Sequence, residues 1–254
     1  MKIYDNLLNK ISERGAVFLL LIDPDKTSGE DLVALVQECE RSGVDALLIG
    51  GSLMMNGDLN AVIRTIKQNC SLPAIVFPGS VSQVSPYADG IFYLSLISGR
   101  NAEQLIGKHV LAAPLIRQYK VEPISVGYIL VESGSVTTAQ YMSDSNPIPR
   151  NKPEIAAATA LAAQYLGMKM VYLEGGSGAK YSVPNEMVRT VSQYCDIPVI
   201  VGGGIKDPET AYEKVRNGAK AIVCGNFFED KNNWPLIRSF AEAIHSFELK
   251  EKTS

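Results

Sequence analysis

The stretch Met170-Val171-Tyr172-Leu173-Glu174-Gly175-Gly176-Ser177-Gly178-Ala179 is an apolar β-type run that ends on one carboxylate and turns through three glycines. Without Cβ atoms, Gly175, Gly176 and Gly178 let backbone amides approach an anion closely. A flexible loop behind a buried strand is the competing reading. Two later stretches repeat the pattern and favour a site. Ile197-Pro198-Val199-Ile200-Val201 runs into Gly202-Gly203-Gly204, and Ala221-Ile222-Val223-Cys224 runs into Gly225-Asn226.

Upstream the same unit recurs. Ala16 to Ile22 is apolar on both faces, as a strand buried between layers must be, and ends in Asp23-Pro24-Asp25-Lys26. Ala46 to Ile49 ends in Gly50-Gly51-Ser52, Ala74 to Phe77 ends in Pro78-Gly79-Ser80, Ile91 to Leu94 gives a fourth run and Val126 to Val131 a fifth. Helical spacing separates them. Leu32, Leu35, Val36 and Cys39 mark one helix, Leu59, Val62, Ile63 and Ile66 another, and a long pattern spans Ala102 to Tyr119 with Pro114 as a potential kink. Ile3, Leu7, Leu8 and Ile11 predict an N-terminal helix, Pro153 to Leu166 a further one, Asp207 starts another, and Trp234 to His245 the last. Val81 to Ala88 contains Pro86 and predicts an irregular connection; the polar segment from Glu132 to about Asn151 predicts a long loop.

Eight buried strands alternating with helices predict an α/β fold: a single-domain (β/α)8 TIM barrel over residues 1–254, with an N-terminal helix and an irregular connection after the third strand. An open doubly wound sheet is the alternative, and it needs only five or six of these runs to be strands. In a barrel, Asp23, Ser52, Glu174, Gly203 and Asn226 converge on one rim.

Composition narrows the function. At 254 residues, 46 % hydrophobic and 20 % charged, the chain is that of a globular protein, and a net charge of −3 gives no general reason to bind nucleic acid. Cys39, Cys70, Cys195 and Cys224 form no Cys-x-x-Cys pair and read as reduced, buried thiols. No basic-then-apolar leader is seen, and the longest clean apolar run is too short to cross a bilayer, so a cytoplasmic location is expected. Helical faces rich in Ile, Leu and Val permit association.

Glycine loops after the seventh and eighth strands are where such barrels hold phosphate, and Phe227-Phe228 can begin the short helix concerned. Asp23 with a hydroxyl such as Ser52 is too sparse for a closed metal cage; it suits Mg²⁺, which takes its other oxygens from water and a substrate diphosphate. His109 and His245 fall in helices, so proton transfer is assigned to a carboxylate, with Glu174 the candidate.

Taken in order, Ile22-Asp23-Pro24-Asp25-Lys26, Ile49-Gly50-Gly51-Ser52, Tyr172-Leu173-Glu174 with its turn, Gly202-Gly203-Gly204-Ile205 and Gly225-Asn226 resemble the geranylgeranylglyceryl phosphate synthases and the similar bacterial heptaprenylglyceryl phosphate synthases. The resemblance implies Mg²⁺-dependent transfer of a prenyl group from a polyprenyl diphosphate, with geranylgeranyl diphosphate the expected donor, to the 3-hydroxyl of sn-glycerol 1-phosphate. It implies metal ligands at Asp23 and Ser52, with Asp25 open as a further one, and a catalytic acid-base group at Glu174. It implies substrate contacts at Tyr172, Leu173, Glu174, Gly175, Gly176, Ser177, Gly178, Gly203, Gly204, Gly225 and Asn226. A homo-oligomer and a transient membrane-surface contact for lipid substrate or product are expected as well. A tail groove is expected near Phe77, Tyr93 and Tyr128.

One departure stands out. Many relatives carry a lysine two positions before the first aspartate, where this chain has Leu21; Lys26, Lys180, Lys206 or backbone amides are the replacements. The loop after Glu174 is also longer than in many relatives. The rival enzyme class is a barrel isomerase or cyclase of a phosphorylated metabolite of the histidine or tryptophan biosynthesis type, using Asp23 and Glu174 as an acid-base pair. A non-catalytic phosphate-binding regulator is the third reading, and it leaves both carboxylates without a purpose.

Overall fold

The computed structural model describes residues 2–245; residues 1 and 246–254, the ends of the expected domain, lie outside the described residues. Strands β1 (Val17–Ile22), β2 (Ala46–Ile49), β3 (Ala74–Val76), β4 (Gly90–Leu96), β5 (Glu122–Leu130), β6 (Met170–Glu174), β7 (Val199–Gly202) and β8 (Ala221–Cys224) form a closed parallel barrel. Each pairs with its successor, and β8 returns to β1 with Phe18 beside Ile222.

Two-residue alternation divides every strand between two cores. Leu19, Leu48, Phe92, Val126, Tyr172 and Ile200 fill the barrel interior. Phe18, Leu47, Val76, Ile129, Val171 and Ile222 face outward into the flanking helices. Fully burying one such side chain contributes about 1.5–3 kcal/mol, which is why both faces of these runs are apolar.

The outer layer comprises α2 (Gly29–Ser42), α3 (Leu59–Asn69), α4 (Lys108–Tyr119), α5 (Thr138–Ser143), α6 (Pro153–Tyr165), α7 (Asn185–Tyr194), α8 (Pro208–Arg216) and α9 (Ile237–His245). Asp58 and Asp207 accept from Ala61 N–H and Thr210 N–H and so cap α3 and α8. The first helix, α1 (Ile3–Arg14), does different work. Its Leu7, fully buried, joins the interior cluster with Ile3, Tyr4 and Ile11, while Ile3 N–H and the Tyr4 hydroxyl bond Glu122 and the Lys169 carbonyl at the N-terminal ends of β5 and β6. The helix is thus a plug for the end of the barrel opposite the glycine loops.

Residues 77–89 carry no helix, as Pro86 predicts. Three expectations need correction. The long loop after β5 contains α5, capped by Thr137. The helix expected over 102–119 opens instead as a π-turn, Glu103–Gly107, before α4. The last helix begins at Ile237, preceded by a 3₁₀ segment, Lys231–Leu236, since Pro235 has no N–H to give an α-helical turn. All four cysteines are free thiols, but Cys70 is only half-buried because it lies at the C-terminal cap of α3.

Candidate active site

At the C-terminal ends of the strands, one cavity is lined by Leu21 of β1 and Asp23 just after it, Gly50 to Ser52 after β2, Tyr172 and Glu174 of β6 with Gly176 to Ala179, Gly203 to Lys206 after β7, and Gly225 to Phe227 after β8. Groups far apart in sequence thus share one rim. Two of the expected contacts do not line it. Leu173 points outward into the helical layer because it is one residue out of phase with Tyr172 and Glu174. Gly175 is engaged with the end of β7, its N–H donating to the Gly202 carbonyl at 2.9 Å.

Glu174 is the chemical centre. Its buried carboxylate accepts from the Tyr128 hydroxyl at 3.1 Å, from the Gly176 N–H and from the Tyr172 hydroxyl. Burial pushes its pKa up, and the three hydrogen bonds oppose that rise without cancelling it. Both phenols are driven well above their ordinary range by burial and by the adjacent carboxylate, so they remain donors. Gly202 makes this possible: a Cβ there would lie 2.0 Å from the Tyr172 hydroxyl.

The loops lock together around this group. Asn226 Oδ1 accepts from Ser177 Oγ and from Gly178 N–H, the latter at 3.0 Å, and Asn226 Nδ2 donates to Glu229 at 2.9 Å. Gly203 and Gly204 are both left-handed, with φ of +83° and +70°, and a side chain at either would strike the loop after β6. Backbone is consequently the lining here, and backbone N–H groups suit an anion. Phe227 and Phe228 lie in a 3₁₀ turn, Asn226–Glu229, at the rim.

Asp23 and Asp25 part company. The Asp25 carboxylate accepts from the N–H groups of Met55, Asn56 and Gly57, which lower its pKa and fix the loop after β2. Asp23 keeps an open oxygen: Oδ1 accepts from Asp25 N–H at 3.0 Å, while Oδ2 is 3.9 Å from Lys26. Burial raises its pKa, the Asp25 N–H and Lys26 oppose the rise, and the charges of Asp25 and Glu229 add to it. A Cβ at Gly51 would sit 3.2–3.3 Å from that carboxylate, so the glycine makes the room beside it. No group of three or more His, Cys, Asp or Glu residues able to hold a metal occurs among the described residues. One cation-seeking carboxylate beside the Ser52 hydroxyl fits an oxygen-preferring ion such as Mg²⁺, bound mainly through other ligands.

A second, mostly apolar cavity adjoins the first and shares Gly51, Ser52, Phe77, Tyr128 and Ala139 with it. Phe77, Tyr128 and Tyr172 form the wall between them, with ring centroids 5.3–5.9 Å apart. Beyond it lie Val84, Ile91, Tyr93, Leu96, His109, Ala112 and Ile116. His109 packs edge-on against Tyr93 at 4.5 Å, a packing role as its helical position predicts.

The PcrB family model matches residues 9–244. This chain belongs to the PcrB family. It is 43 % identical over 245 residues to the geranylgeranylglyceryl phosphate synthase of Chitinophaga pinensis, covering 96 % of each chain, and 47 % identical over 235 residues to that of Pyrococcus horikoshii, covering 92 % of each. Its structure matches that of (S)-3-O-geranylgeranylglyceryl phosphate synthase from Thermoplasma acidophilum in complex with substrate sn-glycerol-1-phosphate, with a TM-score of 0.91, 36 % identity and coverage of 97 % of this chain and 99 % of that one.

Where many PcrB-family relatives are expected to carry a lysine, Leu21 packs on Gly225, whose Cβ would lie 3.2 Å from the leucine Cβ. Of the three replacement cations, Lys26 is engaged by both Glu229 oxygens at 2.9 and 3.0 Å, and Lys180 lies over the Tyr181 ring. Lys206 alone of the three lines the cavity. Sequence reasoning missed Tyr128 and Tyr172 as donors to Glu174; their one signal is that both belong to strand runs, and only the β5–β6 register sets them side by side.

Proposed function

We propose that this chain is a Mg²⁺-dependent prenyltransferase that joins a polyprenyl diphosphate, geranylgeranyl diphosphate being the expected donor, to the 3-hydroxyl of sn-glycerol 1-phosphate. The observation that carries the reading is the position of Glu174, a buried carboxylate of raised pKa in a glycine-lined cavity that shares the wall Phe77 and Tyr128 with an apolar one. Membership of the PcrB family and the 36 % identical relative in complex with sn-glycerol-1-phosphate support it. The apolar cavity favours prenyl transfer over isomerisation of a small phosphorylated metabolite, which needs no room for a long tail.

In this reading the backbone of Gly176, Gly203, Gly204 and Gly225, with Ser177, Asn226 and Lys206, holds the glycerol phosphate, and the 3-hydroxyl lies against Glu174. The hydroxyl oxygen bonds to the allylic carbon as the bond from that carbon to the diphosphate oxygen breaks. The hydroxyl proton passes to Glu174, and the bonding electron pair leaves on the diphosphate. Tyr128 and Tyr172 position the carboxylate. Asp23 and Ser52 are the residues that would hold Mg²⁺, which when bound supplies positive charge against the departing diphosphate.

The wider reading is of one domain over residues 1–254 with (β/α)8 TIM barrel connectivity, supported by a helix after every strand except β3. A homo-oligomer in the cytoplasm is part of it, supported by exposed apolar side chains such as Val110, Tyr165 and Leu166; so is transient contact with a membrane surface. No described helix is long and apolar enough to cross a membrane.

The test is transfer of radiolabelled sn-glycerol 1-phosphate into organic-extractable product with donors of graded length. Glu174→Gln should lower kcat by about 10²–10⁴-fold. In the parent protein kcat should fall with acid along a limb set above the ordinary carboxylate range, because protonated Glu174 cannot accept a proton. Full turnover by Glu174→Gln, with the acid limb intact, would remove the carboxylate from the mechanism.

A further inference from the structure

Beside the two cavities lies a third depression, polar in character, between the loops that follow β2 and β3. These loops are clamped to one another. A Cβ at Gly79 would fall on the Gly51 carbonyl, and the buried Gln83 accepts from Gly79 N–H while donating to the Gly51 carbonyl, both at 3.0 Å. The clamp fixes what the loops present: the Ser80 and Ser82 hydroxyls, 2.7 Å apart, beside Ser52.

Lys108, the first residue of α4, completes the wall. It lines the apolar cavity as well, so this lysine borders both the apolar and the polar space. Among the described residues no ion pair of Lys108 is found, whereas Lys26 at the same end of the barrel is held by Glu229. Ser52 borders all three spaces. A ligand with an apolar tail, an anionic head and a reacting carbon at their junction has the same layout. Lysine suits such a head as a compact, flexible point charge.

Resting on the prenyl-transfer reading above, we propose that Lys108, with the hydroxyls of Ser80 and Ser82, is the binding site for the diphosphate of the prenyl donor, outside the cradle that takes the glycerol phosphate. As the carbon–oxygen bond breaks the diphosphate gains negative charge, so the lysine contributes to turnover as well as to affinity.

Calorimetric titration of inorganic diphosphate, with Mg²⁺ present, into the parent protein and into Lys108→Met reads the site without turnover. The expected result is an affinity lower in the variant by about tenfold or more. The KM for geranylgeranyl diphosphate should rise to match, with the KM for sn-glycerol 1-phosphate within about twofold of the parent, and Lys108→Arg should recover most of the loss. Equal diphosphate affinity in parent and Lys108→Met would overturn the assignment. Failure of the parent to make any ether product would instead sink the functional reading, while the titration still decides the diphosphate site. Should Lys108→Met not fold, Ser80→Ala with Ser82→Ala carries the same titration, with the same outcomes deciding it.

Discussion

At Gly203 the absence of a side chain is what leaves room for the Glu174 carboxylate and its hydrogen bond. Its φ is +83°, and a Cβ would lie 2.5 Å from Gly176 N and 2.6 Å from Glu174 Oε1, the same two atoms that hydrogen-bond each other. Gly203→Ala should therefore displace the carboxylate as well as strain the backbone, lowering kcat by about tenfold or more. Gly178 is the contrast: its φ is +73° but nothing lies within 4 Å of the missing Cβ. Gly178→Ala should show the left-handed penalty of about 1–2 kcal/mol in melting and, because the residue lines the cavity, a rise in the KM for sn-glycerol 1-phosphate, with kcat less affected than in Gly203→Ala. Equal loss of kcat in the two variants would argue against a steric link to Glu174. What made this glycine-lined cavity legible in the sequence is repetition: one strand end with a lone acid and bare amides reads as well as a flexible loop, and two later strands ending in glycine turns favour a shared rim. Two facts were not. Leu173 faces away from the site by simple alternation. Asp25 is captured by amides some thirty positions later, a pairing with no trace in its local Asp-Pro-Asp context.

The π-turn before α4 shows what periodicity cannot reveal about an element. Ala102 to Tyr119 has continuous helical spacing, yet Glu103–Gly107 is wound with an extra residue, which turns the helix face by about 100° relative to an unbroken α-helix. The cause lies in a strand: Ser95 Oγ donates to the Leu105 carbonyl at 2.8 Å and gives that group a partner outside the helix. Pro114, by contrast, does not end α4, which continues to Tyr119. Val110, whose carbonyl the missing N–H would have met, is an exposed residue where water can take its place. Removing the strand hydroxyl takes that partner away. Ser95→Ala is expected to destabilise the protein by about 1–3 kcal/mol, seen in denaturant titration, because it leaves a half-buried carbonyl unpaired. It should also raise the KM for the prenyl donor more than that for glycerol phosphate, because Lys108 and His109 follow directly on this turn and line the apolar cavity. A uniform change in both KM values would mean that the turn has no part in shaping that cavity.

Across the whole molecule, chemistry gathers at one end of the barrel and closure at the other. Eight apolar runs in this length were enough to anticipate a closed barrel, but not that α1 plugs it, because an amphipathic spacing does not say which surface the apolar stripe will meet. The same end holds the fully buried carboxylate of Asp45. It accepts from Phe18 N–H at 2.9 Å in β1, from Arg14 at 2.8 Å in α1 and bonds His245 Nε2 at 2.8 Å in α9, with Lys10 3.5 Å away. One group thereby ties both ends of the described chain to the barrel. Burial alone would raise its pKa; the hydrogen bond and charge of His245, the Phe18 N–H and Lys10 outweigh that and bring it below the ordinary value. A carboxyl lowered on folding stabilises the native state above its unfolded pKa, and that stabilisation is lost as pH falls through the folded value. The parent should accordingly lose stability below about pH 4 in denaturant titrations. Asp45→Ala, which leaves the cations around an empty site, should cost about 3–5 kcal/mol at neutral pH and lack this part of the acid dependence. Since Asp45 touches nothing in the catalytic cavity, kcat at temperatures where the variant stays folded should match the parent. A variant as stable as the parent at pH 7 would show that the two chain ends are held by apolar packing alone.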